Sequence, residues 1–324
     1  MIDDASLAAL QQAIREAHQA LRPEVAVTPL SHSARLSAMT GCEVHLKCEH
    51  LQHTGSFKYR GARNKLRLLD DNQRKRGVIA ASSGNHGQGL ALAGGTLGVP
   101  VTVYTAHDAS VYKLQAMRTL GAEVLALELD PLGVELEAGR QARLQGKVFV
   151  SPYNDLQVIA GQGTVGMELF EQAPELDAVF VAVGGGGLIG GIGAALHGLS
   201  PNTRMIGCWP ANAPTLQASL QAGRIIDMVE QETLSDGTAG GVEPDSVTFG
   251  LCQRLLSQTV LVSEDEIKAA MRDVAACERW IIEGAAAVAL AGMKKLADEY
   301  RGKRVAVVLC GRNIVLEKFL EAIA

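Results

Sequence analysis

Short apolar runs alternate with segments of helical period along almost the whole 324-residue chain, and this restricts the fold more than any other feature. Nine runs read as strands: EVHLKCE (43–49), GVIAAS (77–82), VPVTVYT (99–105), EVLALE (123–128), VFVSP (148–152), AVFVAV (178–183), TRMIGCW (203–209), QTVLVS (258–263) and RVAVVLC (304–310). Helical stretches such as HGQGLALAGGTLG, VYKLQAMRTLG and TVGMELFEQ lie between most of them. Strands that alternate with helices build parallel sheets covered on both faces. In TLGVPV and TLGAEV a glycine stands where a helix should stop, just ahead of a strand. Nine strands are many for one sheet. The expectation is an α/β protein of two open, mostly parallel twisted sheets flanked by helices, with the loops at strand carboxyl ends facing a shared cleft.

Composition narrows the function. The chain is 47% hydrophobic and 20% charged with a net charge of −5, and it has no block of Lys or Arg. That is an ordinary globular balance and a poor electrostatic match to nucleic acid. The six cysteines form no CxxC pair, so neither a zinc site nor a disulfide framework is indicated, and reduced thiols in the cytoplasm are expected. The first 21 residues lack the basic and apolar regions of a secretory signal. Residues 178–196 are uncharged and nearly long enough to cross a bilayer, yet glycines crowd their centre. A buried strand, a glycine loop and a helix fit that segment better.

Three glycine-marked loops carry the chemistry. In VAVGGGGLIGGIG (181–193), Gly185-x-Gly187-x-x-Gly190 has the dinucleotide spacing. The acidic residue that would hold a ribose is missing, because the next strand ends in GCWP. What survives is a phosphate cradle, in which N–H groups of consecutive glycines converge on an anion at the positive end of a helix. Four glycines in a row are read as more than packing needs. In ASSGNHGQG (81–89), Ser82, Ser83, Asn85 and His86 cluster at a second helix start, where one Ser or Asn would suffice as a cap; a second anion such as a carboxylate suits them. In HTGSFKYRGA (53–62), Lys58 opens a helix, where the dipole disfavours a cation. A lysine whose pKa is lowered in this way is a nucleophile toward carbonyls. A phosphate loop, a carboxylate loop and a poised lysine together imply pyridoxal 5′-phosphate.

The motifs TGSFKYRGA, ASSGNHGQG, VIAGQGT, VGGGGL and CGRN, in that order, resemble those of the threonine dehydratase and serine racemase family, of the tryptophan-synthase-β-like fold. The resemblance runs from about residue 27 to 313. It implies that Lys58 holds the cofactor and takes the α-proton, that Ser83 is the acid/base on the opposite face, and that Asn85 bonds the 3′-oxygen. It implies that Ser82, Ser83, Asn85 and His86 hold the substrate carboxylate. Gly184, Gly185, Gly186 and Gly187 match the phosphate loop, and Cys310 takes the place facing the pyridine nitrogen. A small domain is implied at 50–152, inside a large one made of 1–49 plus 153–324, with the cofactor in the cleft between them. The implied reaction is β-elimination on a hydroxy amino acid of the L-threonine or L-serine type, by a cytoplasmic homodimer with no nucleic-acid or membrane partner.

One departure concerns metal. Some members bind Mg²⁺ or Ca²⁺ through acidic side chains after the strand that follows the phosphate loop, but Trp209 and Thr215 stand there in this chain, so no metal site is expected. A racemase is the nearest rival, since Ser83 is present. Dehydration of a larger β-hydroxy amino acid, such as phenylserine or 3-hydroxyaspartate, is compatible too. A β-replacement synthase would usually carry Thr in place of His86. A non-catalytic cofactor carrier is disfavoured by Lys58, Ser83 and Asn85 all being present, and a nucleotide-binding oxidoreductase by GCWP.

Overall fold

The computed structural model describes residues 2–107, 109–129 and 131–324. Its strands are β1 (Leu30–His32), β2 (Glu43–Lys47), β3 (Val78–Ala81), β4 (Val101–Ala106), β5 (Glu123–Leu127), β6 (Val148–Phe149), β7 (Ala178–Ala182), β8 (Arg204–Pro210), β9 (Gln258–Val262) and β10 (Arg304–Val308). They form two sheets, ordered β1-β2-β10-β7-β8-β9 and β5-β4-β3-β6. Every pairing is parallel except β1 with β2. All nine expected strands are present, so the α/β reading with two mostly parallel sheets holds. The unexpected one, β1, is three residues long and reads as LSH, which has no apolar alternation to reveal it.

The larger core fills the space around the six-stranded sheet, where Phe180, Trp209 and the apolar helix Gly284–Lys295 are enclosed. A second core lies beside β3 and β4. The 178–196 segment is β7, a loop, and the helix Gly187–Leu199. No helix among the described residues is long and apolar enough to cross a membrane.

Two features of this topology place the site. Chain order turns away in both directions between β7 and β10, which are adjacent, and loops beyond the carboxyl ends of strands at such a point form a crevice. The glycine loop follows β7, and Leu309–Asn313 follows β10. From the other sheet, the central strand β3 delivers the Ser82–Gly84 loop and the helix Asn85–Leu97.

The helix Lys58–Arg67 joins the two halves. It crosses the helix Leu156–Gln172 at a glycine contact, where a Cβ on Gly161 would come within 2.6 Å of Gly61 Cα and of Arg60 O. Gly61 N donates to Gln162 Oε1 at this crossing.

Candidate active site

Lys58 is the first residue of its helix, and Phe57 at the cap offers no side-chain acceptor. Lys58 Nζ donates to Pro152 O at 3.0 Å. Burial of the ammonium pulls its pKa down to about 8, while the neighbouring Cys310 and Glu283 act in the opposite direction. Backbone bonds fix this lysine against the segment after β10: Phe57 N donates to Cys310 O, and Ser56 bridges Gly311.

Cys310 is 4% exposed, and burial holds its thiol well above the ordinary range, so it is neutral. Beside it stands Glu283, a group the sequence reading did not assign. Its carboxylate accepts from Asn85 Nδ2 (2.8 and 3.1 Å) and from Asn313 N (3.0 Å). A Cβ on Gly311 would collide with it. Burial, followed by the charge of Asp236, pushes Glu283 up to about 7, against the pull of the Asn85 bond and the Lys113 charge. The signal for Glu283 was a lone carboxylate in RWIIEGAAAVAL, at the head of an apolar helix. Asn313 closes the CGRN motif, and its Nδ2 donates to Asn85 Oδ1 at 2.6 Å.

The serine loop divides its labour. Ser82 Oγ accepts from Gly84 N (3.1 Å) and Gly87 N (3.0 Å), so Ser82 caps the helix. Ser83 is exposed. Asn85 is held by Glu283 and Asn313. His86 is 4% exposed, and its Nε2 lies 2.9 Å from Val150 O, which fixes the ring proton on Nε2. Burial and Lys58 drive its pKa down to about 3, so the ring is neutral. Its Nδ1, buried without a partner among the described residues, is then an acceptor. The N–H groups of Asn85 and His86 have no acceptor among the described residues.

The glycine loop corrects one step of the sequence argument. Packing alone uses all four glycines. A Cβ on Gly184 would lie 2.8 Å from Thr238 O, and one on Gly185 would overlap the Tyr153 ring. Gly186 has φ +86°, and Gly187 lies against Tyr153 Cα. The run of glycines is therefore no proof of a phosphate by itself. The stronger observation is that no N–H from Gly184 to Gly187 has an acceptor among the described residues, at the positive end of a 13-residue helix. These free donors, with Lys58 reached through Pro152–Tyr153, fit the phosphate and the aldehyde of pyridoxal phosphate.

A strap from Ser235 to Glu243, also absent from the sequence reading, runs over this site. Thr238 covers Gly184, Gly237 lies near Glu283, and Glu243 is tied to Tyr153, Asn154 and Ser151. Asp236 pairs with Lys113 at 2.7 Å. Trp209 is fully buried, and Thr215 donates to Glu230. Among the described residues no three His, Cys, Asp or Glu side chains gather as metal ligands.

Comparison with known proteins matches residues 21–311 to the family described as pyridoxal-phosphate dependent enzyme. L-threonine ammonia-lyase from Thermotoga maritima is 43% identical over 93% of this chain and 75% of its own. The processed form of threonine deaminase isoform 2 from Solanum lycopersicum superposes with a TM-score of 0.94, at 32% identity over 99% of this chain and 88% of that one. Maize serine racemase superposes at 0.90, with 30% identity over 96% of each chain. Nearly the whole described fold, with its lysine, its free glycine donors and its serine loop, thus falls within one match, and the chain belongs to the pyridoxal-phosphate dependent enzyme family.

Proposed function

We propose that the protein is a dehydratase that converts a β-hydroxy amino acid of the L-threonine or L-serine type to a 2-oxo acid and ammonia. The observation that carries the reading is Lys58: a half-buried lysine with its pKa lowered to about 8, linked through Phe57 and Cys310 to the Glu283–Asn85 pair. The similarity to a threonine ammonia-lyase supports the substrate class.

Bound pyridoxal phosphate supplies the electron sink that acidifies the proton on the substrate's Cα. Lys58 Nζ would hold the cofactor covalently at rest and take that proton during turnover. A lysine with this pKa is in part neutral near pH 8 and can do so. The N–H groups of Gly184 to Gly187 would hold the phosphate, Asn85 the 3′-oxygen, and the neutral Cys310 thiol would face the ring nitrogen without adding charge. At the helix start, the N–H groups of Asn85 and His86 and the hydroxyls of Ser82 and Ser83 hold the substrate carboxylate. His86 serves there through its main chain, since its neutral ring donates to Val150. The substrate gives up its β-hydroxyl as water, and the released enamine regains water as it hydrolyses to the 2-oxo acid and ammonia.

In the same reading residues 50–152, which carry the four-stranded sheet, form the small domain, and 1–49 with 153–324 form the large one. The enzyme works as a homodimer in the cytoplasm, where its six free thiols suit a reducing compartment.

The exposed hydroxyl of Ser83 and the likeness to maize serine racemase favour racemisation as a second reading. The test is 2-oxo acid release by cofactor-loaded enzyme across a panel of β-hydroxy amino acids, with chiral analysis of the remaining substrate. Elimination predicts 2-oxo acid from L-threonine or L-serine. D-serine formed from L-serine without 2-oxo acid would establish the racemase, and neither product from any substrate would overturn both readings.

A further inference from the structure

Lys113 lies on the first turn of the helix Val111–Thr119, outside every motif that marks the site. Its ammonium reaches the open end of the helix Asn85–Leu97: Lys113 Nζ is 4.0 Å from where a Cβ on Gly84, the cap residue, would stand, and apart from Gly84's own chain neighbours no other heavy atom among the described residues comes that close. This is an electrostatic conflict, because the start of a helix carries partial positive charge and repels a cation. An anion between the two resolves it. The structure leaves room for that anion in three ways. The N–H groups of Asn85 and His86 lack acceptors. An ammonium has three donors, and Lys113 gives one to Asp236 Oδ2 at 2.7 Å and makes no other side-chain hydrogen bond among the described residues. The Lys113 side chain is 21% exposed, so most of it is sheltered by protein.

We propose that Lys113 is a substrate-binding residue, the cation that pairs with the amino acid's α-carboxylate across the start of the helix Asn85–Leu97. The inference rests on the reading of the Ser82–His86 loop as the carboxylate subsite. Asp236 orients the ammonium through its bond, but its negative charge opposes the arriving carboxylate. The pair therefore sets affinity by two opposed contributions. A lysine that merely ties the strap to the neighbouring helix would behave differently, since both partners of a tie act in the same direction.

The experiment compares Lys113→Met, Lys113→Arg and Asp236→Asn as holoenzymes. Asparagine at 236 still accepts a hydrogen bond from Lys113 and removes only the charge. The carboxylate contact is the same in substrate and transition state, so its loss raises KM with kcat nearly unchanged. For L-threonine, Lys113→Met raises KM about tenfold, the size expected for a charge-assisted bond at the site. Lys113→Arg stays within about threefold of wild type, and Asp236→Asn lowers KM about two- to threefold. If Lys113→Met and Asp236→Asn raise KM alike, the pair is a structural tie and the proposal fails. L-alanine separates this from the reaction itself, because it has the α-carboxylate and no hydroxyl to lose. Its binding is read from the cofactor absorbance. A roughly tenfold weaker apparent Kd in Lys113→Met supports the proposal even if no β-hydroxy amino acid is dehydrated. An unchanged Kd overturns it even if dehydration is confirmed.

Discussion

Glu283 shows how a single buried carboxyl ties chemistry to stability. Its folded pKa, about 7, lies above the ordinary carboxyl value of 4.5, chiefly through burial. Below the ordinary value both folded and unfolded chains hold the proton. As pH rises through the folded pKa, the folded protein must give up a proton that the unfolded chain has already lost, so the favourable contribution of the buried, protonated acid disappears. The ionised form therefore opposes folding by up to about 3 kcal/mol, on the scale of 1.36 kcal/mol per pH unit. Glu283→Gln, which keeps the shape and cannot ionise, is expected to gain thermal stability over wild type at pH 8 and to lose most of that advantage by pH 5. Melting temperatures of the cofactor-free proteins across this range check it; a difference independent of pH would contradict the assignment. His86 gives the complementary case. Burial, with the charge of Lys58, keeps its ring neutral, so its single ring proton is expected to stay on the bond to Val150 O until well into acid.

At the scale of elements, the helix Lys58–Arg67 is held by charges that never meet solvent. Arg60, two residues after the lysine, is fully buried and donates to both oxygens of Glu49 and both of Glu168. Lys47 Nζ, from β2, lies 2.5 Å from Glu168 and also donates to Thr28 O and Gln172. Two cations and two anions balance, and each charge is hydrogen-bonded, which is the condition under which burial is tolerated. Removing one partner strands the others. Arg60→Met is expected to destabilise the protein by about 3–5 kcal/mol, measured by urea unfolding; a cost below about 1 kcal/mol would mean that water reaches the carboxylates. The end of β8 is a second example. With Trp209 fully buried and Thr215 bonded to Glu230, the segment is closed by protein groups. EDTA is expected to leave turnover within about twofold of untreated enzyme, since hard divalent ions prefer carboxylate oxygens and two of the matching positions supply none. Activity lost to chelator and restored by Mg²⁺ would refute this.

Across the whole molecule, what the sequence made legible was local and periodic. β7, a buried parallel strand, announces itself as an unbroken apolar run, and the loops after β3 and β7 are marked by glycine and serine. Lys58, Asn85 and Cys310 could be singled out because each sits within a dense motif, and the fold brings them to one place. Glu283, Tyr153 and the Ser235–Glu243 strap were not legible, because their roles come from contacts between distant segments: Glu283 meets Asn85 across 198 positions. Glycine is ambiguous for a related reason. The same missing Cβ serves Tyr153 packing and anion approach, and only the free N–H groups separate the two. The central proposal is that Lys58, on which these contacts converge, holds the cofactor. Borohydride reduction of the holoenzyme followed by peptide mapping tests it most directly. The pyridoxyl group is expected on Lys58 and on no other lysine; label on Lys113, whose ammonium lies near Gly84, or on any lysine but Lys58 would overturn the assignment.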